Sequence, residues 1–385
     1  MSALALAGTG LVTALGHGPG VFWDGLRRGA RALVPLTAFE GDSRGRTVAA
    51  VRPADCPAVP GRRKEFLALT AARQALRAAG LRRLPEGALV VIVSQALELS
   101  AGGLSPDAPG SGGDFTGPDP DALLAACGGR PEAAVVVVHL SHACASAAFG
   151  VAFAREWLLS GLGPVALVVG ASALNPYEYD SMEVVRALSP AGARPFDTGR
   201  DGLTVGEGGG AFVLETRAAA LDRGHRPQAL LSGAACLVDS TRAVASDPAA
   251  IRDCMLAALE DAGVDRVDYV HAHATGTPQG DAAEVAAVGE VSRALGWGVV
   301  PVSSHKGAVG HLLHASAFAG VAAASGFLRE AWVPGTPGLR SPMEVPDGVR
   351  PVAAAVPAAR AEHALVNSFG FCGNNAALVV SAVGQ

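Results

Sequence analysis

The chain has 385 residues, a net charge of −5, half of its positions hydrophobic and 17% charged. At roughly 100 to 200 residues per domain, that length argues for two packed units or one large one and excludes a small stapled module. A charged fraction well below the usual ~25% excludes disorder, and the negative balance gives no electrostatic reason to expect a nucleic-acid partner. Glycine fills 49 positions against a usual share of about 7%, which suggests many tight turns and close backbone approaches. Lys64 and Lys306 are the only lysines among 30 basic residues, so each stands out in a chain that otherwise uses arginine.

The first 23 residues carry no charge, yet they lack a basic leader segment and are broken by five glycines, unlike a secretory signal. Short β-branched runs then alternate with helical runs. Leu89 to Val93 and Val135 to Leu140 read as strands, Cys144 to Leu159 as a helix and Val165 to Val169 as a strand, the pattern of an α/β protein with strands covered on both faces. Between them, residues 102 to 120 are crowded with Gly, Ser, Pro and Asp and read as a surface loop. Two charge-free stretches, Ala133 to Ala154 and Gly307 to Leu328, are long enough by count to span a bilayer. Their histidines, serines and glycines point to buried core instead.

The second half repeats the rhythm of the first. Gln228 to Val238 echoes Leu4 to Ala14, Val299 to Leu328 echoes Val135 to Leu159, and His363 to Phe371 echoes Val165 to Leu174. The order implies an internal duplication joined near Thr216 to Arg226, with halves 1–220 and 221–385.

Four segments carry candidate chemistry. Cys144 follows a strand and opens a helix of small residues, where free N–H groups and the helix dipole would stabilise a thiolate; an inert buried cysteine is the alternative. The other cysteines, Cys56, Cys127, Cys236, Cys254 and Cys372, stand singly with no CxxC pair, which fits a reduced, cytoplasmic setting. His271 and His273 end a strand before a helix expected near Asp281; alternation would send both to one face, with no third metal ligand at a recognised spacing. Residues 303 to 311 place Lys306 and His311 before the second small-residue helix. Asn367 to Asn375 form a glycine-studded turn with Phe369 and Phe371, either a mobile gate or a plain turn between strands.

Together and in this order, these segments resemble the elongating β-ketoacyl-acyl-carrier-protein synthases, the ketosynthases of fatty-acid and type II polyketide synthesis. The resemblance runs nearly end to end. It starts at Gly8-Thr9-Gly10-Leu11-Val12-Thr13-Ala14-Leu15-Gly16 and Phe22-Trp23, continues through Arg194-Pro195-Phe196-Asp197, Arg200-Asp201-Gly202 and Gly206-Glu207-Gly208, and closes at Asn367 to Gly373.

The resemblance implies a thiolase-like fold, two duplicated halves in five α/β/α/β/α layers. It also implies the roles of the site residues. Cys144 takes an acyl group from an acyl-carrier-protein thioester, with the N–H groups of Cys144 and Phe371 holding the oxyanion. His273 and His311 act as neutral donors to a malonyl thioester while carbon dioxide leaves and the enolate attacks. Lys306 and Glu284 form a supporting ion pair, Thr275 and Thr277 grip the phosphopantetheine arm, and Phe369, Gly370, Phe371 and Cys372 form the gate. Arg62, Arg63, Lys64 and Arg200 present positive charge to an acidic carrier protein, or are simply solvated. By the same resemblance no metal or separate cofactor is expected, no membrane span, and a homodimer or heterodimer with a ketosynthase-like subunit.

The match departs in places. His142 stands where serine or threonine is usual, Ala274 and His314 where glycine is usual, and Cys372 replaces a gate glycine. Three readings are open: a decarboxylating condensing enzyme of a specialised pathway, a non-catalytic chain-length-factor-like partner, and a thiolase-fold acyltransferase that loses no carbon dioxide. Retention of Cys144, His273 and His311 favours the first.

Overall fold

A computed structural model describes residues 3–37, 46–56, 62–95, 118–128, 135–239 and 247–384. The expected surface loop at 102 to 120 falls outside these residues up to 117, and Pro120 opens a short helix, Pro120–Ala126. In the first half the principal strands are β1 (Leu4–Thr13), β2 (Leu89–Val93), β3 (Val136–Leu140), β4 (Val165–Ser172) and β5 (Gly208–Thr216). Helices α1 (Arg63–Ala78), α2 (Ser146–Leu159) and α3 (Pro176–Val184) connect them. The second half carries β6 (Ala229–Val238), α4 (Pro248–Ala262), β7 (Tyr269–His271), α5 (Pro278–Ala294), β8 (Val300–Ser303), α6 (Lys306–Val309), α7 (Ser316–Glu330), β9 (Val349–Pro351), β10 (His363–Gly370) and β11 (Asn374–Ser381).

The strand order β1-β5-β4-β2-β3 recurs as β6-β11-β10-β7-β8, with β9 added at the far edge. Polarity recurs as well: the first two pairings of each set are antiparallel and the last two parallel. The sets join through a three-residue pairing of β1 with β6, Leu4 opposite Leu231 to Leu6 opposite Ala229. Helices α2 and α7 contact strands of both sets and form the middle layer, while α1 covers one outer face and α4 the other.

Small residues make those layers possible. A Cβ at Gly8 of β1 would lie 2.0 Å from the carbonyl oxygen of Ala75, so only glycine lets α1 settle onto the strand. The apolar stretch from 307 to 328 becomes α6 and α7, buried throughout except at Leu328. Among the described residues no helix is long and apolar enough to cross a membrane.

Candidate active site

Strand β3 must turn into α2 within five residues, 141 to 145, and Cys144 lies in that turn rather than in the helix proper. Ala143 takes a left-handed conformation, φ 47°, which a side chain adopts only at a cost. Ser146 clamps the turn: its Oγ accepts the His142 N–H at 2.8 Å and donates to the Ala143 carbonyl at 2.6 Å. The Ser368 hydroxyl donates to the Cys144 carbonyl at 3.3 Å. The sulfur-bearing residue is 5% exposed, and burial pushes its thiol up to about 12 against a smaller opposing pull from Lys306. Desolvation of the anion outweighs the nearby positive charge, which favours the thiol over the thiolate that the helix start alone would stabilise.

His273 lies just past β7. Its Nδ1 accepts the Phe369 N–H at 3.1 Å, so in the neutral ring the proton sits on Nε2. His311 lies after α6, with Nδ1 2.8 Å from the Ser316 hydroxyl. That hydroxyl accepts the Leu312 N–H at 3.0 Å and, among the described residues, has no acceptor for its own proton other than His311 Nδ1, which again places the ring proton on Nε2. Burial, with Lys306 nearby, holds both imidazoles well below their ordinary value. The rings meet edge to face with centroids 5.2 Å apart. Two neutral N–H donors therefore converge beside a thiol.

A dense polar scaffold holds the His273 loop. Glu284 accepts the N–H groups of His273 and Ala274, both at 2.8 Å, and the Asn367 amide at 2.9 Å. Lys306 Nζ donates to the His273 carbonyl. Lys306 and Glu284 make no direct ion pair, contrary to expectation; they hold the two ends of residue 273's backbone, one at its carbonyl and the other at its N–H. Burial pushes Lys306 down to about 8, with Glu284 opposing the shift. Asp281, which the sequence marked only as a helix start, accepts the N–H groups of Thr275 at 3.1 Å, Gly276 at 3.0 Å and Phe196 at 2.8 Å. Helix α5 itself begins earlier, at Pro278.

Cys144, His273 and His311 line one cavity of about 390 Å³ together with Thr275, Thr277 and Phe371. The two threonine hydroxyls are 3.1 Å apart. Phe369 and Gly370 also line it. A Cβ at Gly370 would sit 3.0 Å from the Cys144 nitrogen, so the space beside that N–H exists because residue 370 has no side chain. Cys372 is exposed at the tip of the β10–β11 turn with φ 58°. Arg186, unmarked by any motif, is exposed, takes φ 54° and lines the same cavity.

Several expected placements change. His271 does not share a face with His273, because β7 ends at His271 and alternation stops there. Its Nε2 lies 2.7 Å from His305 Nδ1 and its Nδ1 2.7 Å from the Tyr269 hydroxyl, away from the cavity lining. Among the described residues, no group of three or more His, Cys, Asp or Glu is placed to hold a metal ion. Lys64 is 2% exposed and pairs with Glu178 at 3.2 Å, so it is no surface docking group. Arg63 is turned inward to Glu207, to the Cys56 carbonyl at 2.8 Å and to the Val51 carbonyl at 2.6 Å. Arg200 donates to the carbonyls of Asp197 at 3.1 Å and Pro278 at 3.2 Å. Arg62 alone of the four is exposed. His142 stacks on Phe149, centroids 4.0 Å apart, with Nδ1 3.1 Å from the Asn374 side-chain oxygen, so it packs outside the cavity.

Two family descriptions match the chain, "Beta-ketoacyl synthase, N-terminal domain" over residues 62–220 and "Beta-ketoacyl synthase, C-terminal domain" over 229–340. Nodulation protein E of Rhizobium meliloti is 30% identical over 99% of both chains. The chain belongs to the β-ketoacyl synthase family. A 3-oxoacyl-[acyl-carrier-protein] synthase 2 of Mycobacterium bovis is 33% identical over 67% of this chain and 64% of that protein. The solved ishigamide ketosynthase/chain length factor superposes with a TM-score of 0.86 at 27% identity, covering both chains in full. The fold is accordingly the thiolase-like one, two duplicated halves in five layers, and this β-ketoacyl synthase is an acyltransferase of the condensing type.

Proposed function

We propose that this β-ketoacyl synthase joins a Cys144-bound acyl group to the malonyl thioester of an acyl carrier protein, in a type II polyketide or fatty-acid-like pathway. Cys144 Sγ attacks the incoming thioester carbonyl, the oxygen's negative charge rests against the N–H groups of Cys144 and Phe371, and the carrier's thiol departs with the proton from Cys144. The malonyl arm then enters past Thr275 and Thr277. His273 and His311 donate their Nε2–H groups to its thioester oxygen; the bond to the carboxylate breaks, its electron pair forms the enolate, and carbon dioxide leaves. The enolate carbon attacks the acyl-cysteine, and Cys144 leaves as the thiolate.

The observation that carries this reading is the pair of neutral imidazoles, each fixed as its Nε2–H tautomer by a donor at Nδ1, lining one cavity with Cys144. Neutral donors are what a developing enolate requires, since they stabilise oxygen's charge without quenching the carbanion by proton transfer. The prosthetic arm supplies the carrier-bound substrate, and the reading requires no further cofactor. For the carrier protein we assign Arg186, at the cavity and exposed, with Arg62 as a second cation, in place of Arg63 and Lys64. Strand β3 has no partner on its outer side among the described residues, and Val136 on the strand and Phe153 on α2 are exposed, which supports pairing with a second ketosynthase-like subunit. The repeat of strand order on either side of residue 220 supports dividing the chain into 1–220 and 221–385. Among the described residues Cys127, Cys144, Cys236, Cys254 and Cys372 form no disulfide, which supports a cytoplasmic setting.

Intact-mass analysis after exposure to a panel of acyl-carrier thioesters, then to malonyl-carrier protein, tests the scheme. Acylation lost in Cys144→Ala and condensation lost in His273→Ala are the expected results. Absence of any acyl adduct would favour a non-catalytic chain-length partner, and transfer without carbon dioxide release a simple acyltransferase.

A further inference from the structure

A second polar cluster lies close to the nucleophile without lining the cavity. Glu178 of α3 is 3% exposed; it pairs with Lys64 of α1 at 3.2 Å and accepts the Ser172 hydroxyl at 3.1 Å. Its N–H donates to Asn175, the residue that caps α3. His314, fully buried, places Nε2 2.7 Å from the Ala171 carbonyl. A carbonyl only accepts, so Nε2 carries the proton; the lone pair of Nδ1, which has no hydrogen-bond partner among the described residues, lies 3.9 Å from Glu178. Tyr179 and Met182, from the same helix as Glu178, pack in one apolar cluster with Cys144 and Leu313.

A buried ion pair is a poor device for stability, because desolvating both charges costs about as much as their attraction returns. The placement of this one suggests a role at the sulfur. We propose that Glu178, held by Lys64 and Ser172, is a positioning residue for Cys144: it fixes α3 against the nucleophile and sets a carboxylate in opposition to Lys306. Cys144 then stays a thiol at rest and gives up its proton as the acyl donor's own sulfur becomes basic.

The groups around the sulfur support this assignment. Burial raises the thiol most; Lys306 draws it down, and Glu178 adds to the rise. His273 and His311 are held neutral, as is His314, pushed by burial down to about 3. Tyr179 is held protonated by burial. Among the described residues, Glu178 is the carboxylate that opposes Lys306 at the thiol.

The inference rests on the reading of Cys144 as nucleophile, and its test needs no carrier substrate. The rate of Cys144 alkylation by iodoacetamide, located by peptide mass mapping, is followed from pH 6 to 10 in the full chain. Glu178→Gln keeps the side chain's shape and an acceptor for Ser172 while removing the charge. Its alkylation profile should move to lower pH by about one unit, about tenfold faster near pH 8. The double variant Lys64→Met/Glu178→Gln, which removes the pair together and remains measurable should the single variant misfold, should lie between that profile and the parent's. A Glu178→Gln profile that superimposes on the parent, moves to higher pH or is slowed equally at every pH would overturn the assignment, as would a double-variant profile above the parent's. Loss of acyl transfer with normal alkylation would instead count against the condensing role of Cys144.

Discussion

Acidification from pH 7.5 to 5.5 should destabilise this protein through four histidines. His271, His305, His311 and His314 are each no more than 1% exposed, and burial holds each well below its ordinary value of 6.5. A histidine depressed by folding leaves its stabilising share intact above 6.5; the share is lost as pH falls through that value, because the unfolded ring takes up a proton that the folded ring refuses. Each such ring costs about 1.4 kcal/mol over this range, about 5.6 kcal/mol for the four together. Asp281 works the other way. Burial raises its carboxyl to about 7, so the folded state gains a proton as pH falls and returns about 2 kcal/mol. Glu284, raised by burial, adds in the same direction. A net loss of roughly 3 kcal/mol is large beside a typical stability of about 5 to 15 kcal/mol. Thermal unfolding should then show Tm about 4 °C lower at pH 5.5, and calorimetry in buffers of different ionisation enthalpy should register net proton uptake on unfolding. A Tm equal or higher at pH 5.5, or net proton release, would refute the assignment of these rings as neutral and buried.

Gly370→Ala places a methyl group 3.0 Å from the Cys144 nitrogen and 3.1 Å from Ala143 Cβ, in a turn already clamped by Ser146. Acylation of Cys144 should slow by about 10²- to 10³-fold as one oxyanion donor is occluded, while iodoacetamide alkylation changes little; equal acylation rates would remove the N–H of Cys144 from the oxyanion site. Ser316→Ala removes the proton donor to His311 Nδ1, so malonyl-carrier decarboxylation should fall about 10- to 100-fold with Cys144 acylation nearly unchanged, as measured by carbon dioxide release and intact mass. Cys372→Gly relieves a side chain held at φ 58°, and should raise stability by about 1 kcal/mol in denaturant unfolding.

Much of the fold was legible. The β-branched runs near residues 89, 136 and 165 are strands, and the echo between the halves is a repeated strand order. The strand-to-helix setting of Cys144 stood out from local pattern, and His311 from the resemblance to the ketosynthases. The supports of those residues did not. Ser316 is ordinary in sequence, and it clamps His311 because a turn of 3₁₀ helix, Leu313–Ala315, brings it back. Strand alternation misplaced His271, since β7 stops before the rule can apply to His273. Arg63 and Lys64 read as a surface cluster because two arginines and a lysine in a row have no visible partner nearby. Glu207 and Glu178 lie 144 and 114 positions away.

By itself the amino-acid order determined which elements form, in what succession and in how many copies, because hydrophobic periodicity, small-residue helices and cap residues act within a few positions. It also named the chemically competent residues. Only the tertiary structure decided their states. Whether a cysteine is thiol or thiolate, which imidazole nitrogen holds the proton, and whether a lysine meets solvent or a buried carboxylate all depend on desolvation and on neighbours from distant segments. Those quantities come into being only when the layers close, and Lys64, exposed by expectation and buried in fact, shows how far they can depart from local pattern.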